Sequence, residues 1–412
     1  MTVRRRKASF DYFSSPGDAS AHGLLRLKRI SPPREVQRGR RVYVAGLLRR
    51  ACLALPVLVL MFFGLVHVLH VLSGQGQLLW DNEVDDEWMP DWGKPGEPGY
   101  GLSHYPTDAT RDVIPIPCHS HNDYWRRIPL FDAIHWGCTG VEADVWLFDE
   151  ELYVGHNTAS LTRNRTFRNL YINPLVDLLD RMNPNSPFSP NTTGHGVFDE
   201  DPNQSLVLLV DFKTNGRDTY PYVHKHLEAL REKDYLTYHD GNGVQKRAVT
   251  VVGTGNTPFD MVVSEKRRDI FFDAPLDKMW EPARTEDDQP RPLASPIAFG
   301  EGQGNVGTGQ VTSADDFNTT NSYYASVSFM KTVGFVWRGR LTPRQMHIIR
   351  GQIRGAQRRG LKARYWDTPG WPIHLRNYIW HVLMKEGADM LNVDDLKGAA
   401  VQNWMARTRG LL

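Results

Sequence analysis

Residues 205–213 read SLVLLVDFK. Five consecutive apolar side chains, 206–210, leave this segment without a polar face, which is how a strand reads when helices cover both sides of a parallel sheet. The run ends on Asp211 and Lys213, two apart and therefore on one face. Outward from it lie seven more short apolar or β-branched runs: VIPIPCH (113–119), GVEADVWL (140–147), AVTVVG (248–253), DIFFDA (269–274), ASVSF (325–329), LKARYW (361–366) and DMLNVD (389–394). Helical stretches separate several of them, at 130–137, 173–182, 223–233, 342–360 and 373–387. Eight strands alternating with helices over about 285 residues predict an α/β chain folded as a (β/α)8 TIM barrel across 111–400, with a doubly wound sheet as the alternative. The stretches 183–204 and 283–324 read as loop insertions.

In such a barrel, function sits at the C-terminal ends of the strands. His119 and His121 end the first strand. Glu142 and Asp144 end the second, His156 follows in LYVGH, and Asp211 and Lys213 end the third. Carboxylates gathered in one mouth repel one another unless a cation lies between them. An all-oxygen set favours a hard divalent ion, Mg²⁺ or Ca²⁺.

The ordered set SHNDY…GVEADVWL…LYVGH…LVDFKT resembles the phospholipase-C-like phosphodiesterase superfamily, and within it the fungal altered inheritance of mitochondria protein 6 family, over most of 111–400. The resemblance implies a metal-dependent phosphoric diester hydrolase acting on a lipid or lipid-derived phosphodiester. It makes His121 and His156 the catalytic histidines and Lys213 the phosphate-contacting lysine, with Glu142, Asp144 and Asp211 at the metal-ligand positions. The glycerophosphodiesterase branch carries Arg-Gly after its first histidine, whereas this chain has Asn122-Asp123. That departure removes a cation that would grip phosphate. Asn122 then stands where substrate binds, and Arg126 or Arg127, a few residues on, would substitute for the lost charge. Trp366, on the seventh strand, either faces a cationic head group or packs.

One imidazole would deprotonate the nucleophile while the other protonates the leaving group, with His119 supporting His121 from the same face. Two rivals follow from the same residues. His119 and His121 could together hold a transition metal, as in amidohydrolases. Alternatively, the barrel could be a catalytically silent, membrane-tethered binding or scaffold protein.

Composition supplies the frame. Residues 1–50 hold 13 Lys/Arg against three acids, a charge of +10, while the remainder carries 36 basic and 44 acidic side chains, or −8. An acidic body argues against a nucleic-acid partner. Residues 51–73 carry no charge over 23 positions, which as a helix span roughly 35 Å. The positive-inside rule places the N-terminus in the cytosol and the barrel on the lumenal or extracytoplasmic side of a single-pass signal anchor. Residues 1–50 read as a disordered basic tail, 74–110 as a Pro/Gly/acidic stalk and 401–412 as a C-terminal tail. Four sequons, at Asn164, Asn191, Asn203 and Asn318, make the body a candidate glycoprotein. Cys118 and Cys138 are its two cysteines. With His121 and Glu142 facing inward, strict alternation points Cys118 outward and Cys138 inward, so free thiols are expected.

Overall fold

The computed structural model describes residues 49–50, 52–70, 72, 110–184, 186–187, 194–283 and 313–404. The basic tail and stalk read from the sequence lie outside them, except at Arg49, Arg50 and Thr110, as does the C-terminal tail beyond Trp404. In chain order the elements are α1 (Cys52–His70), β1 (Ile116–Ser120), α2 (Phe131–His135), β2 (Cys138–Phe148), β3 (Glu151–Val154), α3 (Asn173–Met182), β4 (Leu206–Phe212), α4 (Gly216–His226), α5 (Glu228–Arg231), β5 (Tyr238–His239) and β6 (Val244–Gln245). They continue with β7 (Val249–Gly255), α6 (Phe259–Ser264), β8 (Ile270–Pro275), β9 (Ser322–Ser328), α7 (Phe329–Thr332), α8 (Pro343–Arg358), β10 (Lys362–Trp366), α9 (Ile373–Lys385), β11 (Met390–Val393) and α10 (Leu396–Ala400). Helix α1 forms a unit by itself: 19 residues of mean hydropathy 2.6, long and apolar enough to cross a membrane.

The eight strands β1, β2, β4, β7, β8, β9, β10 and β11 pair in parallel, and β1 bonds both β2 and β11, so the sheet closes on itself. This is the expected barrel. β4 is buried along its whole length because helices cover its outer side and the barrel lumen its inner side. Leu206, Leu208 and Val210 join the large outer core with Ile349, Ile379 and other helical residues. Val207 and Leu209 instead meet Val252, Tyr324 and Met390 in a smaller cluster within the lumen. Above that cluster the lumen turns polar, because Glu142, Asp144 and Asp211 keep the inward register: Glu142 pairs with Leu209 and Asp144 with Asp211.

Helix starts are set by side-chain caps. Asn215 accepts from the backbone N–H groups of Arg217 and Asp218, opening α4 three residues after β4 ends. Thr342 and Gln345 form a capping box at α8, with Pro343 in its first turn.

The cysteines depart from expectation. Cys118 and Cys138 are bonded, with Cα atoms 4.7 Å apart. Cys118 does face outward, opposite Leu391 of the outer core. The inward placement of Cys138 is what fails. The β1–β2 register shifts between Ile116 and His119, so that Ile116 lies opposite Cys138 but His119 lies opposite Gly140. This bulge breaks the alternation on which the sequence argument relied and puts both sulfurs in the outer core. Directly above it, Gly140 makes room for a ring: a Cβ there would overlap His119 Nδ1.

Candidate active site

Three carboxylates converge at the C-terminal ends of β2 and β4. Oxygens of Glu142, Asp144 and Asp211 all lie within 4.8 Å of one another, and all three residues are buried. Lys213 Nζ bridges two of them, 2.6 Å from Asp211 Oδ2 and 3.0 Å from Asp144 Oδ2. Beneath lies Arg364, 1% exposed, whose guanidinium approaches Glu142 Oε2 at 3.5 Å and Asp273 Oδ2 at 3.8 Å. It also donates to Asn392 Oδ1 at 3.0 Å. Gly255, at φ +64°, is required beside Asp211, since any Cβ would overlap that carboxylate.

Four buried carboxylates (Asp273 included) thus face two permanent cations, so that with all four ionised the excess is two negative charges, the complement of one divalent ion. Burial and the neighbouring Asp211 and Glu142 charges push Asp144 up to about 8. Its Oδ1 is buried without a hydrogen-bond partner. Burial would also raise Glu142, but the positive potential of His121, Arg364 and Lys213 holds it below the ordinary carboxylate range. An orphaned oxygen, mutual repulsion and an all-oxygen donor set are what a hard cation would relieve, so these residues fit one. Among the described residues, this group of potential ligands contains no histidine.

His121 sits just past the end of β1, its Nδ1 2.8 Å from Asp394 Oδ1. Burial would depress this imidazole, but the hydrogen bond to Asp394 and the Glu142 and Asp394 charges raise it. Asp394 is itself lowered, its burial outweighed by the same bond. An ionised Asp394 can only accept, so Nδ1 carries the proton and Nε2 is left as the reactive nitrogen of the neutral ring. His156 stands across the carboxylates, half exposed, its Nδ1 3.3 Å from the Tyr124 hydroxyl and 3.8 Å from Asp144 Oδ2. Its ring packs against Trp125 at 4.9 Å. His119 is fully buried, 4.0 Å from Glu142 through Nε2. Burial, then the Arg364 charge, lowers it well below the ordinary histidine value, so it is neutral.

The remaining sequence candidates are placed as follows. Asn122 is buried in left-handed backbone (φ 48°), its N–H donating to Glu142 Oε2 at 3.2 Å. Its neighbour Asp123 points away from the mouth, accepting from the Leu130 N–H and the Tyr171 hydroxyl. Arg126 is spent on the protein: it donates to Ser120 Oγ and to the carbonyls of His121, Val393 and Asp394, tying β1 to β11. Four acceptors of the protein thus already engage the Arg126 guanidinium, which has five N–H groups in all. Arg127 is exposed. Trp366 is partly buried with its ring 6.0 Å from Lys331 Nζ.

Three contributors were not legible beforehand. Asp394 directly follows β11 in NVDD; its position marked it as near the mouth, but its pairing with His121 could not be read from the sequence. Tyr124 lies in the HNDY stretch already quoted; its hydroxyl sits 2.7 Å from Asp144 Oδ2 and 2.6 Å from Asn122 Oδ1. Arg364 precedes Trp366 by two residues in KARYW and so shares its inward face. Beside His121 opens a cavity of about 280 Å³ lined by Asp367, Thr368, Arg376, Trp380, Asn392 and Asp395, among others.

The chain is a closed parallel barrel with carboxylates, imidazoles and a lysine at its C-terminal mouth, and its residues 107–273 match the family model described as the AIM6-like phosphodiesterase domain. The chain belongs to the altered inheritance of mitochondria protein 6 family. It is 41% identical over 308 residues to the altered inheritance of mitochondria protein 6 homolog of Arthroderma benhamiae, covering 72% of this chain and 87% of that protein. It is 35% identical over 303 residues to altered inheritance of mitochondria protein 6 of Eremothecium gossypii, covering 70% and 69%. For the Saccharomyces cerevisiae S288c protein of that name the identity is 33% over 303 residues, covering 69% and 70%. No solved structure matches the chain.

Proposed function

We propose that this protein is a metal-dependent phosphoric diester hydrolase acting on a lipid or lipid-derived phosphodiester. The observation that carries the reading is the pairing of a buried carboxylate triad with two imidazoles on opposite sides of it, one backed by Asp394. Glu142, Asp144 and Asp211 would hold Mg²⁺ or Ca²⁺. Bound there, the ion would supply positive charge to the non-bridging oxygens as negative charge builds up on them. Lys213, its charge kept by Asp211 and Asp144 despite its burial, adds to that field. His121 takes the proton of the nucleophile through Nε2 while Asp394 stabilises the imidazolium that forms. His156 gives a proton to the leaving oxygen. Tyr124, kept protonated by burial and the Asp144 charge, fixes Asp144 and the His156 ring. Asn122 serves the substrate side through its backbone placement, and the cavity beside His121 receives a substrate substituent.

The reading with His119 and His121 as joint transition-metal ligands has the geometry against it. His119 Nε2 faces Glu142 from the barrel floor, whereas His121 is committed through Nδ1 to Asp394 on the rim. The full chain in detergent, offered a panel of glycerophosphodiesters and phospholipids with Mg²⁺, Ca²⁺ or chelator, should release a phosphomonoester from at least one, and only with metal. No release under any condition would leave the silent scaffold as the correct reading.

The anchor α1, the basic flank before it and the Cys118–Cys138 disulfide support a lumenal or extracytoplasmic barrel, since disulfides persist in oxidising compartments. Asn164 and Asn203 are exposed as acceptors would be, whereas Asn318 Oδ1 accepts from the Thr320 N–H, and Asn191 lies outside the described residues. Protease added to sealed microsomes should remove the N-terminal tail and spare the barrel; digestion of the barrel in intact vesicles would reverse the orientation.

A further inference from the structure

Of the Phe and Trp exposed by more than a third on the described barrel, Trp125, Phe335, Trp337 and Trp371 lie on segments that follow the C-terminal end of a strand, while Phe148 closes β2 and Phe131 opens α2. The largest concentration is on two neighbouring strands. After β9 come Phe335, 67% exposed, and Trp337, 68% exposed, their rings 6.3 Å apart. After β10 come Trp371, 78% exposed, and Ile373, 55% exposed. The loop of β1, next but one in the sheet order, adds Trp125 and Ile128. Toward the opposite end of the barrel, the large apolar side chains exposed among the described residues are aliphatic, Ile114, Val401 and the less exposed Val263. Monomeric soluble proteins rarely leave such aromatic groups together in water without a use. Basic side chains accompany the rim. Lys331, Arg338 and Arg340 are exposed on the β9 loop, and neither arginine enters an ion pair among the described residues.

We propose that the barrel docks mouth-first on an anionic lipid bilayer, with the β9 and β10 loops inserting Phe335, Trp337, Trp371 and Ile373 at the interface and Lys331, Arg338 and Arg340 meeting the headgroups. Trp at the edge of an apolar surface with arginines beside it is the chemistry of the headgroup boundary, where an indole buries its ring and keeps its N–H wet. A protein partner would not require the three cations, whereas an anionic leaflet attracts each of them. The same chain carries α1, and the 39 residues between His70 and Thr110 span at most about 140 Å, so a bilayer is always within reach. Docking stands independently of turnover. Combined with the proposed hydrolysis, it restricts the substrate to a phosphodiester presented at a membrane surface.

The test uses the full chain carrying Cys52→Ser, so that a single introduced cysteine can be labelled with nitrobenzoxadiazole under non-reducing conditions. The protein is reconstituted in phosphatidylcholine vesicles with or without phosphatidylserine. A label at Trp337→Cys should emit in the blue and be quenched by nitroxide-bearing acyl chains, while a label at Ile114→Cys stays water-like. Adding Arg338→Glu and Arg340→Glu should lower quenching most in the phosphatidylserine vesicles, by roughly fivefold in docked-to-free ratio for each charge lost. Hydrolysis of a water-soluble nitrophenyl phosphodiester by Phe335→Ser/Trp337→Ser should match the parent, which separates a failure of docking from a failure of the catalytic reading. A water-like Trp337 label, equal quenching of both labels, or shielding that follows protein density rather than lipid and so indicates a second copy, would each overturn the proposal.

Discussion

Replacing His156 by alanine should lower turnover of an alkyl phosphodiester by about 10²–10⁴-fold with little change in substrate affinity, because proton transfer by the proposed acid would contribute only in the transition state. A nitrophenyl phosphodiester, whose leaving group needs no proton, suffers far less from the same change. His121→Ala costs both substrates alike, because the nucleophile still has to lose its proton. The pH profile of the parent should be bell-shaped, with its acid limb set by the proposed base His121. Asp394 stabilises the charged ring and raises its pKa, so the neutral, proton-accepting form appears only at higher pH than for an ordinary histidine. Asp394→Asn removes that support, moving the acid limb to lower pH while turnover falls. Steady-state kinetics of the three variants on both substrates, across pH, decide the matter. Parent rates from both histidine variants would make the imidazoles structural.

The second large effect concerns metal. Asp144→Asn or Glu142→Gln should abolish divalent binding in a calorimetric titration yet leave the fold intact, because relief of carboxylate repulsion would offset the lost ligand. His119→Ala keeps the ion. As a ligand in the parent, Asp144 would have to shed its proton first, and burial with the Asp211 and Glu142 charges holds that proton up to about 8 in the metal-free protein. Affinity should therefore rise roughly tenfold per pH unit up to that point and flatten above it. Stability of the metal-free protein runs the other way. Asp144 is raised in the fold above its unfolded value, so the folded state holds the proton longer and loses stability as pH climbs between about 4 and 8. A metal affinity independent of pH over this window would contradict the coupling.

The barrel was legible because each of its eight strands is a short apolar run whose ends carry polar groups, as SLVLLVDFK shows most clearly. Asp211 and Lys213 could be placed on one face from spacing alone, and they are 2.6 Å apart. Elements that depend on partners distant in sequence were not legible. The β3 strand, a local antiparallel hairpin on β2, was missed for another reason: its turn residues Asp149 and Glu150 take positive φ without a glycine to signal it. Asp394 meets His121 across 273 residues, and Arg364 approaches Glu142 across 222. The bulge between β1 and β2 defeated the cysteine argument for the same reason, since register between two strands is a property of the pair and neither strand alone encodes it.

The Cys118–Cys138 bond closes a ring, the two half-cystines being 20 positions apart. Inside that ring lie His119, His121, Asn122, Tyr124 and Arg126, everything that the first strand and its loop bring to the mouth. Such a closure restricts the unfolded chain by about 3 kcal/mol, and it does so for these residues in particular. Even a chain that has lost its barrel keeps this half of the site within one small loop. Refolding then has only to bring the β2, β4 and β11 ends to a loop already cyclised. A chain synthesised where thiols stay reduced must instead gather the same residues from an open coil.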